Sequence, residues 1–396
     1  MLEAKSHCSR YLMLFSLLFV GGCGNAANPQ KQQTIPVIVE QLIPELMKKN
    51  DIPGMAVAVS YNEKDYFFEF GVQDKQSGAP VTQSTLFEVG SISKLFTATL
   101  ASKSQLQGKL SFERPIEHYM SNLEGTSLGK VPVLHLATHT AGGFPLQLPN
   151  NVNTTNELEN YYQTWQPKDA IGTQRAYANP SIGLLGMLTA QVNNTDFSTL
   201  LTKELLAPVE LTNTYLEVPQ KALANYAWGN NKNGQRVRLN SSLLADEAYG
   251  IKTSNKDLLQ FLKANFADSN STALIDKAML DTHASLFDTG MFHQALIWDK
   301  FQYPINPCTL KQGNSLEVIF NNVPVKQLNP TTQGFKHYAL SKTGSTNGFG
   351  AYVIVIPHKK LAIAMLANKY YPIGERVKTA YKMVNRVLGQ NDDYCE

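Results

Sequence analysis

Apolar positions in the first third of the chain switch between helical and strand spacing. From Pro36 to Lys49 they recur at roughly helical intervals, which predicts a helix. Two alternating runs, Met55 to Tyr61 and Asp65 to Val72, follow and predict a β-hairpin with a short turn. Helical spacing returns from Ser91 to Gln107. This region therefore predicts a helix, a hairpin and a second helix.

The C-terminal part repeats this mixture of strands and helix. β-rich runs at Tyr338 to Lys342, Gly350 to Ile356 and Leu361 to Leu366 predict an antiparallel meander, and Gly374 to Leu388 predicts a closing amphipathic helix. From about 110 to 220, short apolar clusters alternate with Pro, Gly and Asn, which favours short helices and long loops over strands.

Strand-forming segments thus lie at both ends of the chain. The economical architecture is a fold of the α/β (α+β) type, with one antiparallel sheet built from both ends, flanking helices and a helical insertion. We expect residues 35–105 and 220–396 to form an α/β domain and residues 106–219 to form a mainly helical domain.

The N-terminus has the features of an export signal. Basic residues precede the apolar run Tyr11 to Val20, which at about ten residues is too short to span a membrane. We expect a signal peptide over 1–22, a flexible polar tether over 23–34 and a periplasmic protein. Val20-Gly21-Gly22-Cys23 resembles a bacterial lipobox, so we expect lipidation of Cys23 to anchor the protein as an outer-membrane lipoprotein that faces the periplasm. The alternative is an ordinary cut near Gly24, Ala26 or Ala27.

Composition and charge narrow the class of function. The chain has 396 residues, of which 43% are hydrophobic and 17% charged, which is typical of a folded globular protein. Its formal net charge is only +3, without a long basic run, so we expect no nucleic-acid partner. A small-molecule substrate and a monomeric protein are the expectation.

Cys308 and Cys395 could pair in an oxidising compartment, but sequence does not show them to be close, and two free thiols are the default expectation.

Ser91 and Lys94 form a Ser-x-x-Lys motif at the start of a predicted helix. Residues three apart share a helical face, so Lys94 can reach the Ser91 hydroxyl and accept its proton. Backbone N–H groups at a helix start can also stabilise an oxyanion. Taken alone, the motif is common by chance, and a capping serine with a solvated lysine is then the expected explanation.

Two further motifs follow in the chain, Tyr177-Ala178-Asn179 and Lys342-Thr343-Gly344. In this order the three motifs resemble those of the serine β-lactamases and penicillin-recognising peptidases, and the flanking residues resemble class C β-lactamases, the cephalosporinases. The flanking segments are Pro53-Gly54-Met55, Thr140-Ala141-Gly142-Gly143, Tyr226-Ala227-Trp228-Gly229, Ala248-Tyr249-Gly250 and Leu366-Ala367-Asn368. The resemblance implies the β-lactamase/penicillin-binding-protein fold and hydrolysis of β-lactam antibiotics, giving antibiotic resistance.

The resemblance also implies a role for individual residues. Ser91 would attack the lactam carbonyl, while Lys94 and Tyr177 would move its proton to the leaving nitrogen. The backbone N–H groups of Ser91 and Ser345 would form the oxyanion hole. Two nearby lysines, Lys94 and Lys342, would favour the phenolate of Tyr177.

Substrate contacts are implied in the same way. Lys342 and Thr343 would face the substrate carboxylate, Gln147 and Asn179 would hydrogen-bond the acylamino side chain, and Tyr249 would line the pocket. The remaining expected substrate-binding residues are Gly344, Asn347 and Arg376. Class C relatives often carry Asn where this chain has Ile373, which cannot make the corresponding polar contact at the carboxylate end of the site, so we expect this position to affect fine substrate preference.

Other readings are weaker. A class A enzyme would need Ser-Asp-Asn and a separate deacylating Glu, which this chain lacks. His135 and His139 have the spacing of a zinc pair but lack the Glu of His-Glu-x-x-His, so we expect packed or surface histidines, no metal and no cofactor. A D-alanyl-D-alanine peptidase or esterase on the same fold is the main alternative, followed by a penicillin-binding sensor module.

Overall fold

The fold is built on a nine-stranded antiparallel sheet, whose strands come from both ends of the chain. The computed structural model describes residues 33–240, 242–266, 270–329 and 332–395. The expected signal peptide, Cys23 and most of the expected tether lie outside the described residues.

The strand order of this sheet joins the two ends of the chain. The order is β13-β9-β10-β11-β14-β15-β16-β1-β2, so the N-terminal hairpin pairs with the C-terminal meander through β1 and β16. Three smaller sheets accompany it. The strands are β1 (Gly54–Tyr61), β2 (Lys64–Gly71), β3 (Phe87–Glu88), β4 (Gln174–Arg175), β5 (Thr214–Tyr215), β6 (Gly229–Asn230), β7 (Arg236–Val237), β8 (Lys252–Thr253), β9 (Phe287–Asp288), β10 (His293–Gln294), β11 (Asp299–Gln302), β12 (Val323–Pro324), β13 (Lys326–Gln327), β14 (Tyr338–Ser345), β15 (Gly350–Ile356) and β16 (Leu361–Ala367).

Helices cover the sheet and form the region between its two parts. Several begin at residues whose side chains accept a hydrogen bond from the first helical turn, such as Thr154, Ser254 and Asn306. The helices are α1 (Ile35–Lys49), α2 (Ser93–Leu106), α3 (Leu134–Ala137), α4 (Thr155–Thr164), α5 (Asn179–Val192), α6 (Phe197–Leu201), α7 (Ala245–Ala248), α8 (Asn255–Ala264), α9 (Leu274–Asp281), α10 (Pro307–Gly313), α11 (Leu316–Phe320) and α12 (Ile373–Val387).

Each face of the sheet has its own hydrophobic core. Val57 and Ile354 point to one face, where α1 and α12 pack. Ala58 and Val353, one position along, belong to the core on the other face, which contains Phe96 of α2 and Leu259 of α8. The two-residue period of a strand separates these sets, and burial on both faces explains why the central strands are apolar throughout.

The expected elements are present, with shifted ends. The second predicted helix, Ser91 to Gln107, begins as a 3₁₀ turn at Gly90–Ile92 and becomes α-helical only at Ser93. Gly90 has a φ of +52°, which turns the chain from β3 into the helix and delays regular helical geometry. The middle of the chain also contains short strands, β4 and β5, that local pattern did not indicate. The proposed domain boundaries stay a prediction.

The expectation of two free thiols is wrong. Cys308, in α10, and Cys395 form a disulfide that closes a separation of 87 residues. The C-terminal segment returns over the sheet after α12, and Tyr394 packs on Tyr381 with 5.4 Å between ring centres. This return brings the two cysteines together, which no local sequence pattern could show.

None of the helices that the structure describes has both the length and the apolar character needed to cross a membrane.

Candidate active site

Ser91 lies in the 3₁₀ turn between β3 and α2, where it lines a cleft of about 770 Å³. Lys94 lies one turn further along and is fully buried. Its ammonium donates hydrogen bonds to Ser91 Oγ at 3.0 Å, Asn179 Oδ1 at 2.6 Å and the Ala248 carbonyl at 2.8 Å. Each of the three N–H groups of the ammonium therefore donates one hydrogen bond. The Ser91 hydroxyl lies beside Lys94, the first candidate base for its proton.

Burial changes the acidity of this lysine. It lowers the pKa of Lys94 to about 8, with Lys342 acting in the same direction and Tyr177 against it. A neutral Lys94 amine has a lone pair that can accept the Ser91 proton across the same 3.0 Å contact.

Tyr177 lies among three cationic side chains. The Nζ atoms of Lys342 and Lys94 lie 5.0 Å and 5.3 Å from its ring centre, and the Arg175 guanidinium lies 5.3 Å away. Burial by itself would raise the pKa of the phenol, but Lys342 and Lys94 outweigh it and the pKa falls to about 8. The hydroxyl is buried and makes no hydrogen bond within the described residues, which leaves it free for a reacting group.

The strand β14 forms one wall of the cleft. Its pairing with β11 ends at Ser341, opposite Asp299, whereas pairing with β15 continues to Ser345. The outer edge of residues 342–345 is therefore not paired in the described sheet, and Lys342, Thr343, Gly344 and Ser345 line the cleft. An unpaired strand edge offers backbone groups to a bound ligand.

The segments that carry Ser91 and Ser345 are in direct contact. A Cβ atom on Gly90 would lie 2.5 Å from the Ser345 nitrogen, and one on Gly344 would lie 1.9 Å from the Val89 carbonyl oxygen. Glycine at both positions allows two backbones to approach where the oxyanion hole is expected.

Most expected substrate contacts also line the cleft. Gln147 Oε1 accepts a hydrogen bond from Asn179 Nδ2 at 2.9 Å, which extends the chain of contacts from Lys94 into the cleft. The Tyr249 hydroxyl lies 2.7 Å from Ser242 Oγ at the rim, and Asn347 is exposed there.

Arg376 does not line the cleft, contrary to the expectation of a substrate contact. It is fully buried and donates to the Gly344 carbonyl at 2.7 Å, Ser345 Oγ at 2.8 Å and the Tyr371 carbonyl at 2.5 Å. These bonds turn its guanidinium towards the end of β14. Ile373 lines the cleft instead and supplies an apolar side chain there.

Sequence reasoning gave no role to Arg175 and Asp299. Both are buried and line the cleft, and Arg175 Nη2 lies 3.6 Å from Asp299 Oδ1. Arg175 lies two residues before Tyr177 of the Tyr-x-Asn motif, and this proximity could have indicated a role. Asp299 has no motif or spacing that connects it to the site.

The two histidines are packed separately. His135 Nδ1 lies 2.7 Å from Thr140 Oγ1, and His139 Nδ1 accepts a hydrogen bond from the Ala178 N–H. Burial lowers the pKa of His135 to about 4 and holds that of His139 well below its ordinary value, so both rings are neutral at pH 7.

Comparison with known proteins decides the family. A family model described as Beta-lactamase matches residues 39–387. A beta-lactamase of Providencia stuartii is 40% identical over 349 residues, which cover 88% of this chain and 91% of that protein. The chain belongs to the beta-lactamase family.

Solved structures of this family give the same result. A class C beta-lactamase in complex with cefoxitin has a TM-score of 0.84 and 42% identity, covering 88% of this chain and 98% of its own. A beta-lactamase/D-alanine carboxypeptidase from Pseudomonas syringae has a TM-score of 0.85 and 42% identity, with 90% and 98% covered. The expected fold and the resemblance to class C β-lactamases are confirmed.

Proposed function

We propose that this protein hydrolyses β-lactam antibiotics, cephalosporins in preference, through an acyl-enzyme on Ser91. The observation that carries the proposal is the 3.0 Å contact between Lys94 Nζ and Ser91 Oγ, beside a tyrosine of lowered pKa. Ser91, Tyr177 and the unpaired edge of residues 342–345 line one cleft, and the buried Lys94 is hydrogen-bonded to Ser91 Oγ.

Acylation forms one bond and breaks one. Ser91 Oγ attacks the lactam carbonyl carbon as its proton passes to Lys94 or Tyr177. The C–N bond of the ring then breaks, and the proton is delivered to the leaving nitrogen. The backbone N–H groups of Ser91 and Ser345 stabilise the oxyanion between these two events.

Deacylation uses the same groups in reverse order. Tyr177 accepts a proton from a water molecule as the water oxygen attacks the ester carbon. The bond between that carbon and Ser91 Oγ then breaks, and Oγ takes up the proton to regenerate the hydroxyl. The free Tyr177 hydroxyl and its lowered pKa support this assignment.

Steady-state hydrolysis of a chromogenic cephalosporin by the purified protein tests the proposal. Wild type should turn over, and intact-protein mass spectrometry should show a transient adduct on the Ser91 peptide. Ser91→Ala should show neither. An adduct on another residue would defeat the assignment. We expect early cephalosporins to be hydrolysed faster than carbapenems.

A D-alanine carboxypeptidase is the second candidate. It is favoured by the similarity to the Pseudomonas syringae protein, which is described as a beta-lactamase/D-alanine carboxypeptidase. Release of D-alanine from peptidoglycan-like peptides, measured beside lactam hydrolysis, separates the two. Much faster release of D-alanine would support the peptidase.

We also propose export to the periplasm, anchoring through Cys23 and action as a monomer. The Cys308–Cys395 disulfide supports an oxidising compartment. Cell fractionation of wild type and Cys23→Ala tests the anchor, and light scattering tests the monomer. A wild-type protein that is freely soluble and starts at or after Asn25 would contradict lipidation.

A further inference from the structure

Glu88 is a buried carboxylate with no part in the proposed chemistry. It lies in β3, three positions before Ser91, and is 2% exposed. Its Oε1 accepts hydrogen bonds from the Tyr226 hydroxyl at 2.6 Å and the Leu239 N–H at 2.6 Å. Its Oε2 accepts one from Thr346 Oγ1 at 2.5 Å.

The bond to Thr346 joins the two halves of the expected oxyanion hole. Glu88 belongs to the segment that carries Ser91, and Thr346 directly follows Ser345. Gly90 and Gly344 have no side chains, so the two backbones can touch. This contact alone does not fix the distance between the Ser91 and Ser345 segments. A hydrogen bond to a buried carboxylate can fix it.

Arg376 holds the same segment from the other side. Its Nη1 donates to the Gly344 carbonyl and to Ser345 Oγ. Residues 344–346 are therefore held between a buried cation and a buried anion.

We propose that Glu88 is a positioning residue that sets, through Thr346, the distance between the Ser91 and Ser345 N–H groups. This inference rests on the proposed function. Oxyanion-hole donors act only within a narrow distance range, and loss of one donor costs about 10²–10³ in kcat. If the donor is displaced but still present, kcat should fall by less, about 10- to 100-fold.

Paired substitutions test the bond. Thr346→Val removes the hydroxyl and should lower kcat/KM for a chromogenic cephalosporin about 10- to 100-fold, whereas Thr346→Ser keeps it and should stay near wild type. Glu88→Leu should match Thr346→Val. Glu88→Gln should recover much of the rate, because its amide N–H can donate to the Thr346 hydroxyl. The double variant Glu88→Leu with Thr346→Val should be little worse than either single variant.

A transition-state readout separates positioning from loss of folding. Affinity for phenylboronic acid, whose tetrahedral adduct on Ser91 places an oxygen in the oxyanion hole, should fall with kcat/KM. Binding of intact cephalosporin in a Ser91→Ala background should barely change. Asp257→Asn is the matched control, since Asp257 also accepts buried hydrogen bonds, from Asn213 N–H and Thr214 Oγ1. It should lower Tm but not boronate affinity.

A folded Thr346→Val variant with the kcat/KM and the boronate affinity of wild type would overturn the inference. Equal loss in Thr346→Ser and Thr346→Val would also overturn it, even if Glu88→Leu does not fold. A wild-type protein without cephalosporin hydrolysis or a Ser91 adduct would instead refute the proposed function.

Discussion

The Arg175 guanidinium lies 3.6 Å from the Asp299 carboxylate and 5.3 Å from the centre of the Tyr177 ring. Arg175 also donates to Gln294 Oε1 and the Val318 carbonyl. A buried cation with fixed partners thus adjoins the tyrosine that the mechanism uses as a base.

Arg175→Leu should move the acidic limb of the pH profile of kcat/KM to higher pH. Arg175 helps to lower the pKa of Tyr177, so its removal raises that pKa and less phenolate exists at a given pH. Arg175→Lys is the control: it keeps the charge and should leave the limb nearly in place. An unmoved limb in Arg175→Leu would contradict this account.

In wild type, kcat/KM should rise as pH approaches about 8. The pKa values of Lys94 and Tyr177 are both about 8, so the pair loses its first proton there, and loss from either residue creates a base for Ser91. Tyr177→Phe should lower kcat/KM by roughly two to four orders of magnitude. Stopped-flow or steady-state rates across the pH range measure both, and near-normal turnover in Tyr177→Phe would remove it from the mechanism.

Gly344→Ala should reduce kcat at least about 100-fold, the cost of a lost oxyanion donor. The new methyl group would meet the Val89 carbonyl and push β14 away from the Ser91 segment. Gly374→Ala is the matched control because a Cβ there meets nothing within 4 Å. Equal rates in the two variants would show that the close approach is not needed.

Removal of the disulfide by Cys308→Ser with Cys395→Ser should lower the free energy of unfolding by about 2–4 kcal/mol, because it frees a long loop in the unfolded chain. Chemical denaturation measures the change. Dithiothreitol should destabilise wild type by a similar amount and leave the double variant unaffected. Equal stability of wild type and variant would count against the disulfide.

Sequence could predict those parts of the site that local spacing or a motif defines. The three-residue step from Ser91 to Lys94 placed both on one helical face, and the structure joins them at 3.0 Å. Alternation of apolar residues likewise indicated β1, and β-rich runs indicated β15 and β16, each with ends within one residue.

Contacts between distant segments could not be predicted in this way. Asp299 lies near Arg175 because it is the first residue of β11 and pairs with Ser341 of β14, and Arg376 is turned towards β14 because the Gly344 carbonyl accepts its hydrogen bond. The pairing of Cys308 with Cys395 depends on the path of the chain after α12. Each depends on tertiary packing that single-sequence patterns do not encode.

The pairing of β1 with β16 has a consequence for the order of folding. The Gly54 N–H donates to the Asn368 side chain, 314 residues later, and β1 lies between β2 and β16. A growing chain cannot complete its central sheet until nearly all of it has been synthesised. Because such non-local pairing is slow to form, the newly made chain would stay unfolded for longer, which is compatible with the proposed export through a secretion channel.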